Sequence, residues 1–150
     1  MNFSLTSEAF RDGATIPAEY TCDGRNVSPP LRWSGPPSGT GCFVLIVDDP
    51  DAPGGTFNHW ILFNIPPSSR GLNEGYLVEG GILEGKTSYG RTGWGGPCPP
   101  RGSAHHYHFK IFALDNGLTL KAGASRQQIA DAMKGHILAE AKLTGLYQRK

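Results

Sequence analysis

Charge is scarce in this sequence of 150 residues: Asp, Glu, Lys and Arg make up 18% of it, against about 25% in ordinary globular domains. Neither sign prevails, with 14 Lys and Arg against 13 Asp and Glu and a formal net charge of +1. A nucleic-acid binder needs a basic patch to displace counterions from phosphates, so this balance argues against a nucleic-acid partner. Long apolar runs are also missing. The longest, residues 42–47 and 60–63, fall far short of the ~18 residues of a membrane helix, so an integral membrane protein is not expected. Residues 1–20 carry Glu8, Arg11 and Asp12 and hold no apolar stretch of the kind a secretory signal uses. Cysteine is limited to Cys22, Cys42 and Cys98, an odd number without C-x-x-C spacing. That argues against a disulfide framework or a zinc ribbon and makes a reducing cytoplasm the default, although any one pair could bond if the fold joined it. No G-x-S-x-G elbow is present, which removes the main sign of a serine hydrolase. With no repeat, charge block or low-complexity linker, residues 1–150 read as a single domain.

What is abundant is the chemistry of turns. Glycine (21) and proline (12) make up more than a fifth of the chain, which suits a domain with many short elements and many loops. Alternating or β-branched apolar residues predict strands over 2–7, 31–34, 43–47, 59–65 and 105–114. Ile129, Met133, Ile137 and Ala141 recur every four residues, with Ala130 and Leu138 widening the stripe, and predict one helix near the C-terminus. Ser125 and Gln128 form a capping-box pattern at its start, Gly135 falls inside it, and Gly145 stops it. Many strands with one late helix predict a mainly β fold, an antiparallel β-sandwich with helical decoration.

Two segments carry chemistry. Asp48, Asp49 and Asp51 follow a core strand in a turn stiffened by Pro50 and Pro53, and His59 opens the next strand. Rigid loops at strand ends commonly mount binding groups. Capping of the turn by Asp49 or Asp51 through side-chain-to-backbone bonds is an equally good reading. Alternation gives His59 the face-mates Ile61 and Phe63. The second segment runs from Tyr89 through Gly95, Gly96, Cys98 and Pro100 into His105, His106, Tyr107 and His108. Strand alternation puts His105, Tyr107, Phe109 and Ile111 on one face, apolar with two polar members at its mouth, as over a pocket. His106, His108 and Lys110 point the other way, towards solvent. The three neighbouring histidines therefore cannot share one metal ion, and no metal site is expected, although Asp49, His59 and His105 remain a conceivable split set. Cys98 reads as a small packing residue more readily than as a reactive thiol.

Taken together, these stretches resemble the phosphatidylethanolamine-binding protein family, also known as the Raf kinase inhibitor-like proteins, in its short bacterial and archaeal form. The resemblance rests on Tyr20-Thr21-Cys22-Asp23-Gly24, Ser28-Pro29-Pro30-Leu31-Arg32-Trp33, the Asp48 to Pro53 loop and His59-Trp60. It continues through Gly96-Pro97-Cys98-Pro99-Pro100, His105-His106-Tyr107 and the tail from Gly135 to Tyr147, and so spans nearly the whole chain. The resemblance implies a sandwich of antiparallel sheets with peripheral helices and a small rigid pocket for phosphate-like groups, including phospholipid and nucleotide head groups. Carried over residue by residue, it assigns Asp49, Asp51, His59, Gly96, Pro100, His105 and Tyr107 to ligand binding. His106 replaces the usual arginine of His-Arg-Tyr, and Ser88 stands where relatives often have an acidic residue.

The expected function is therefore that of a binding module for a small anion such as phosphate, phosphorylethanolamine or a nucleotide-like group, without cofactor and without catalysis. His59 and His105 are expected to donate ring N–H groups and Tyr107 its hydroxyl, with the Gly95 and Gly96 amides adding to them. Asp49 is expected to orient one imidazole and raise its pKa. The resemblance equally allows a regulator that inhibits a protein kinase or protease through its surface, and it is compatible with a homodimer. A metal- or thiol-dependent hydrolase is the least favoured alternative.

Overall fold

Residues 43–47 are apolar without interruption because the strand they form is covered on both sides. In the computed structural model, which describes residues 2–150, this strand is β3 (Cys42–Asp49), and all eight of its residues are buried. Phe43, Leu45 and Val47 face the main core, while Cys42, Val44 and Ile46 face a second one. Its antiparallel neighbours are β4 (Phe57–Ile65) and β7 (His105–Leu114). With β6 (Leu83–Glu84) and β8 (Ile137–Tyr147) at the edges they form a five-stranded sheet of order β6-β4-β3-β7-β8. A three-stranded antiparallel sheet, β1 (Ser4–Thr6), β2 (Leu31–Ser34) and β5 (Gly71–Leu72), supplies Leu5, Leu31, Trp33 and Leu72 to the main core. The fold is mainly β, as expected, and a 3-10 turn at Ala18–Tyr20 supplies peripheral helix.

The outer face of the larger sheet is covered by α1 (Arg126–Met133), whose Ile129 and Met133 pack on Val44, Ile46, Ile61, Phe63 and Phe112. The capping box is formed: Gln128 N–H donates to Ser125 Oγ and Ser125 N–H to Gln128 Oε1. The helix is shorter than the four-residue repeat predicts. Gly135 adopts φ +83° just beyond the last turn, the left-handed conformation that ends helices and that glycine reaches without a Cβ clash. From Ile137 the period is two. Ala141, Leu143 and Tyr147 enter the core, while Ile137 and Leu138, predicted on a buried helical stripe, are exposed. Apolar spacing of four satisfies both periods over a short window, and pairing with β7 decided between them.

Strand β4 departs from simple alternation at the residue that matters most. Val47 pairs with Trp60 and Asp48 with Asn58, which leaves His59 as the extra residue of a β-bulge. Ile61 and Phe63 face the second core. His59 is turned instead to the other side of the sheet, beside Tyr107. The face-mates expected from parity are thus wrong, because parity does not survive an inserted residue.

Candidate functional site

Asp49 at the end of β3, His59 at the bulge of β4, and His105 and Tyr107 at the start of β7 converge on one cavity of about 320 Å³. Its walls are completed by Ala52 and Pro53 from the β3–β4 loop, Phe57 from β4, and Tyr89, Cys98, Pro99 and Pro100 from the long β6–β7 connection. No lysine or arginine lines it.

Apart from Tyr107, each polar side chain of the cavity is held by a specific partner. His105 Nδ1–H donates to Asp49 Oδ2 at 2.7 Å, and both side chains are almost fully buried. Asp49 Oδ1 also accepts the Asp51 N–H at 2.8 Å, so one carboxylate caps the turn and orients an imidazole, and both sequence-level readings of Asp49 apply. His59 Nδ1 lies 2.6 Å from the Gly95 carbonyl, which can only accept, so the proton sits on Nδ1. Desolvation holds His59 below the ordinary histidine pKa, outweighing the Gly95 bond and the charge of Asp49. A neutral His59 therefore brings to the cavity an Nε2 that accepts a hydrogen bond, where a donor was expected.

Tyr107 is 1% exposed and its hydroxyl is buried without a hydrogen-bond partner. Burial, reinforced by the charge of Asp49, pushes its pKa well up, so the group remains a protonated donor. Aromatic edges surround it. The rings of His59 and Tyr107 lie 5.3 Å apart at 72°, and Phe57 is 4.8 Å from both His59 and Tyr89.

Asp51 and Gly96 do not line the cavity. Asp51 turns outward and accepts both the backbone N–H and the Nδ1–H of His106, at 2.8 and 2.7 Å, which holds its carboxyl below the usual range. His106 thus fixes the acidic loop from outside. Gly96 N–H donates to Asn26 Oδ1, its carbonyl accepts the Tyr89 hydroxyl, and the Gly95 N–H donates to the His59 carbonyl. Both amides expected to reach a ligand are committed within the protein. Glycine is required at 96 because a Cβ there would strike the Tyr20 carbonyl and the Asn26 side chain. Ala52, Pro53, Phe57, Tyr89, Cys98 and Pro99 line the cavity without having been assigned to it from the sequence, and of these Phe57 and Tyr89 bring aromatic rings. Tyr89 sits in a loop without periodicity, so no pattern could orient it.

Cys98 carries no free thiol: it is bonded to Cys22, 76 residues away, and the lone free cysteine among the described residues is the buried Cys42. The thiol-hydrolase alternative loses its nucleophile. Among the described residues no group of three His, Cys, Asp or Glu side chains is arranged to hold a metal ion. Asp48, the remaining acid of the loop, lies on the opposite sheet face, bonded to Arg126 at 3.1 Å and Lys110 at 3.3 Å.

A family model described as phosphatidylethanolamine-binding protein matches residues 6–148. The chain belongs to the phosphatidylethanolamine-binding protein family. Among its relatives, a UPF0098 protein of Methanothermobacter thermautotrophicus is 49% identical over 97% of this chain and 99% of its own length. A UPF0098 protein of Aquifex aeolicus is 50% identical over 95% of this chain and 86% of its own. Solved structures of family members superpose closely. YbcL of Escherichia coli gives a TM-score of 0.93 at 33% identity with all of both chains covered. The homolog CT736 of Chlamydia trachomatis gives 0.92 at 39% identity, covering 99% of this chain and 98% of that one. The family's sandwich is therefore a feature this chain shares by descent as well as by geometry.

Proposed function

We propose that the cavity binds a small phosphate-like anion and that the protein is a binding module. The observation that carries this reading is the Tyr107 hydroxyl, a buried donor with no partner, beside the Asp49–His105 pair. Leaving such a group unsatisfied costs about 1–3 kcal/mol, which a ligand oxygen recovers. Protonated His105 adds a charged donor through Nε2, its other nitrogen being fixed by Asp49. Neutral His59 accepts at Nε2, which suits a phosphate oxygen that still carries its proton. The cavity thus matches a singly protonated phosphate monoester: two donors for its charged oxygens and one acceptor for its P–OH. Without lysine or arginine in the walls, positive charge comes from His105 alone, so affinity is modest.

The test follows the histidine ring signals by NMR during addition of O-phosphorylethanolamine and then of inorganic phosphate, in metal-free buffer. Saturable shifts confined to His59 and His105, and lost in His105→Ala, are the expected result. An absence of shifts at millimolar ligand, or equal shifts at the remote His136, overturns the reading.

A further inference from the structure

The wall of the cavity opposite the acidic loop is formed by Cys98, Pro99 and Pro100. Up to Pro97 the connection is secured by hydrogen bonds: Gly95 to His59, Gly96 to Asn26, and the Pro97 carbonyl to the Cys22 N–H. Beyond the wall it is secured again where Gly102 N–H donates to the Arg149 carbonyl. Between these ties two of the three wall residues are prolines without an N–H, and the covalent attachment is the bond from Cys98 to Cys22. Cys22 belongs to a firmly held turn, with Thr21 fully buried and bonded through both its N–H and its hydroxyl to the Ala18 carbonyl. Cys98 is exposed. One half of the disulfide is thus rigid and the other is both solvent-accessible and part of the cavity.

We propose that the Cys22–Cys98 disulfide is a redox-controlled clamp on the cavity: a dithiol reductant opens it in the folded protein, releases the Pro99–Pro100 wall and lowers affinity for the anion. A thiolate of the reductant attacks one sulfur and the other leaves as a thiolate. The reductant's second thiolate then displaces the mixed disulfide. Two electrons and two protons pass to Cys22 and Cys98, and the reductant becomes a disulfide. Arg149 Nη1 lies 3.8 Å from Cys98 Sγ, so a thiolate leaving from Cys98 has a cation beside it. The remaining fold does not depend on the bond, because β3, β4, β7 and β8 are joined by their own ladders. Only the affinity part of this proposal rests on anion binding.

The experiment treats the native protein with millimolar dithiothreitol without denaturant and counts thiols by alkylation. Backbone amide exchange and inorganic phosphate affinity are then compared in the oxidised, reduced and Cys22→Ser/Cys98→Ser forms. Two new thiols, faster exchange confined to residues 98–104, unchanged exchange in β3 and β7, and phosphate binding weakened by about tenfold are expected, as when a preorganised wall is lost. Resistance to reduction, unfolding on reduction, or unaltered exchange at 98–104 each overturns the clamp. Equal phosphate affinity in both forms overturns its control of the cavity while leaving anion binding intact. If neither form binds phosphate, the anion reading and the affinity control fall together, and the exchange data decide the clamp alone.

Discussion

Tyr107 and Asn64 show how a single polar atom is set by its surroundings. Removing the unpartnered hydroxyl in Tyr107→Phe is expected to leave the melting temperature of the free protein unchanged or higher, because no hydrogen bond is lost and a buried orphan is removed. The same change is expected to weaken phosphate binding by about fivefold to tenfold, the value of roughly one hydrogen bond. Thermal melts and titrations of the one variant read both signs, and a marked drop in melting temperature would contradict the orphaned geometry. Asn64 is different, because both ends of its amide are bonded. It sits at φ +57°, where asparagine is tolerated better than most residues, and its side chain donates to the Leu118 carbonyl and accepts the Leu118 N–H. Asn64→Ala is expected to cost about 2–3 kcal/mol in chemical denaturation, from two hydrogen bonds and the left-handed backbone.

At the level of the element, the segment after Met133 separates two readings by sign. Were Gly135 inside a helix, Gly135→Ala would stabilise the protein by about 1 kcal/mol. At φ +83° just past the helix, with open space around the missing Cβ, the same substitution is expected to destabilise by about 1 kcal/mol through backbone strain alone. Denaturant midpoints distinguish the two. Strand β2 and β7 and the capping box of α1 were legible in the sequence to the residue, because their periodicity and breakers agree with their packing. The fate of residues 137–147 was not, since the four-residue spacing of Ile137 and Ala141 suits either period until a neighbouring strand offers hydrogen bonds. The bulge at His59 was illegible for the same reason: an extra residue exists only relative to a partner.

For the whole molecule, two histidines and one long covalent loop set how stability responds to pH and to reductant. Burial lowers the pKa of His59, and burial with the nearby charge of Lys142 lowers that of His108. The unfolded chain then binds more protons than the folded one between the depressed values and about 6.5. Their contribution is complete above pH 6.5 and is lost as pH falls through the folded-state values. The melting temperature is therefore expected to decline from pH 7 towards 5, before carboxylates begin to titrate. A flat profile over that range would contradict it. Reducing the disulfide that closes a 76-residue separation is expected to lower global stability by about 4 kcal/mol in the chain-entropy account, through the unfolded chain.

The sequence by itself determined the strands whose two faces differ, the single-chain sandwich, and the alignment of His105 with Tyr107 on one face of β7, because these follow from local periodicity. It also carried the family, since motifs in order along nearly the whole chain are a property of sequence. Only the tertiary structure decided that His59 joins those residues against its parity, that Asp51 and the Gly96 amide are used elsewhere, and that Cys22 meets Cys98. Each of these is a contact between segments far apart in the chain. Residue order constrains such contacts only after the sheets have closed, when geometry assigns each donor to the acceptor within its reach.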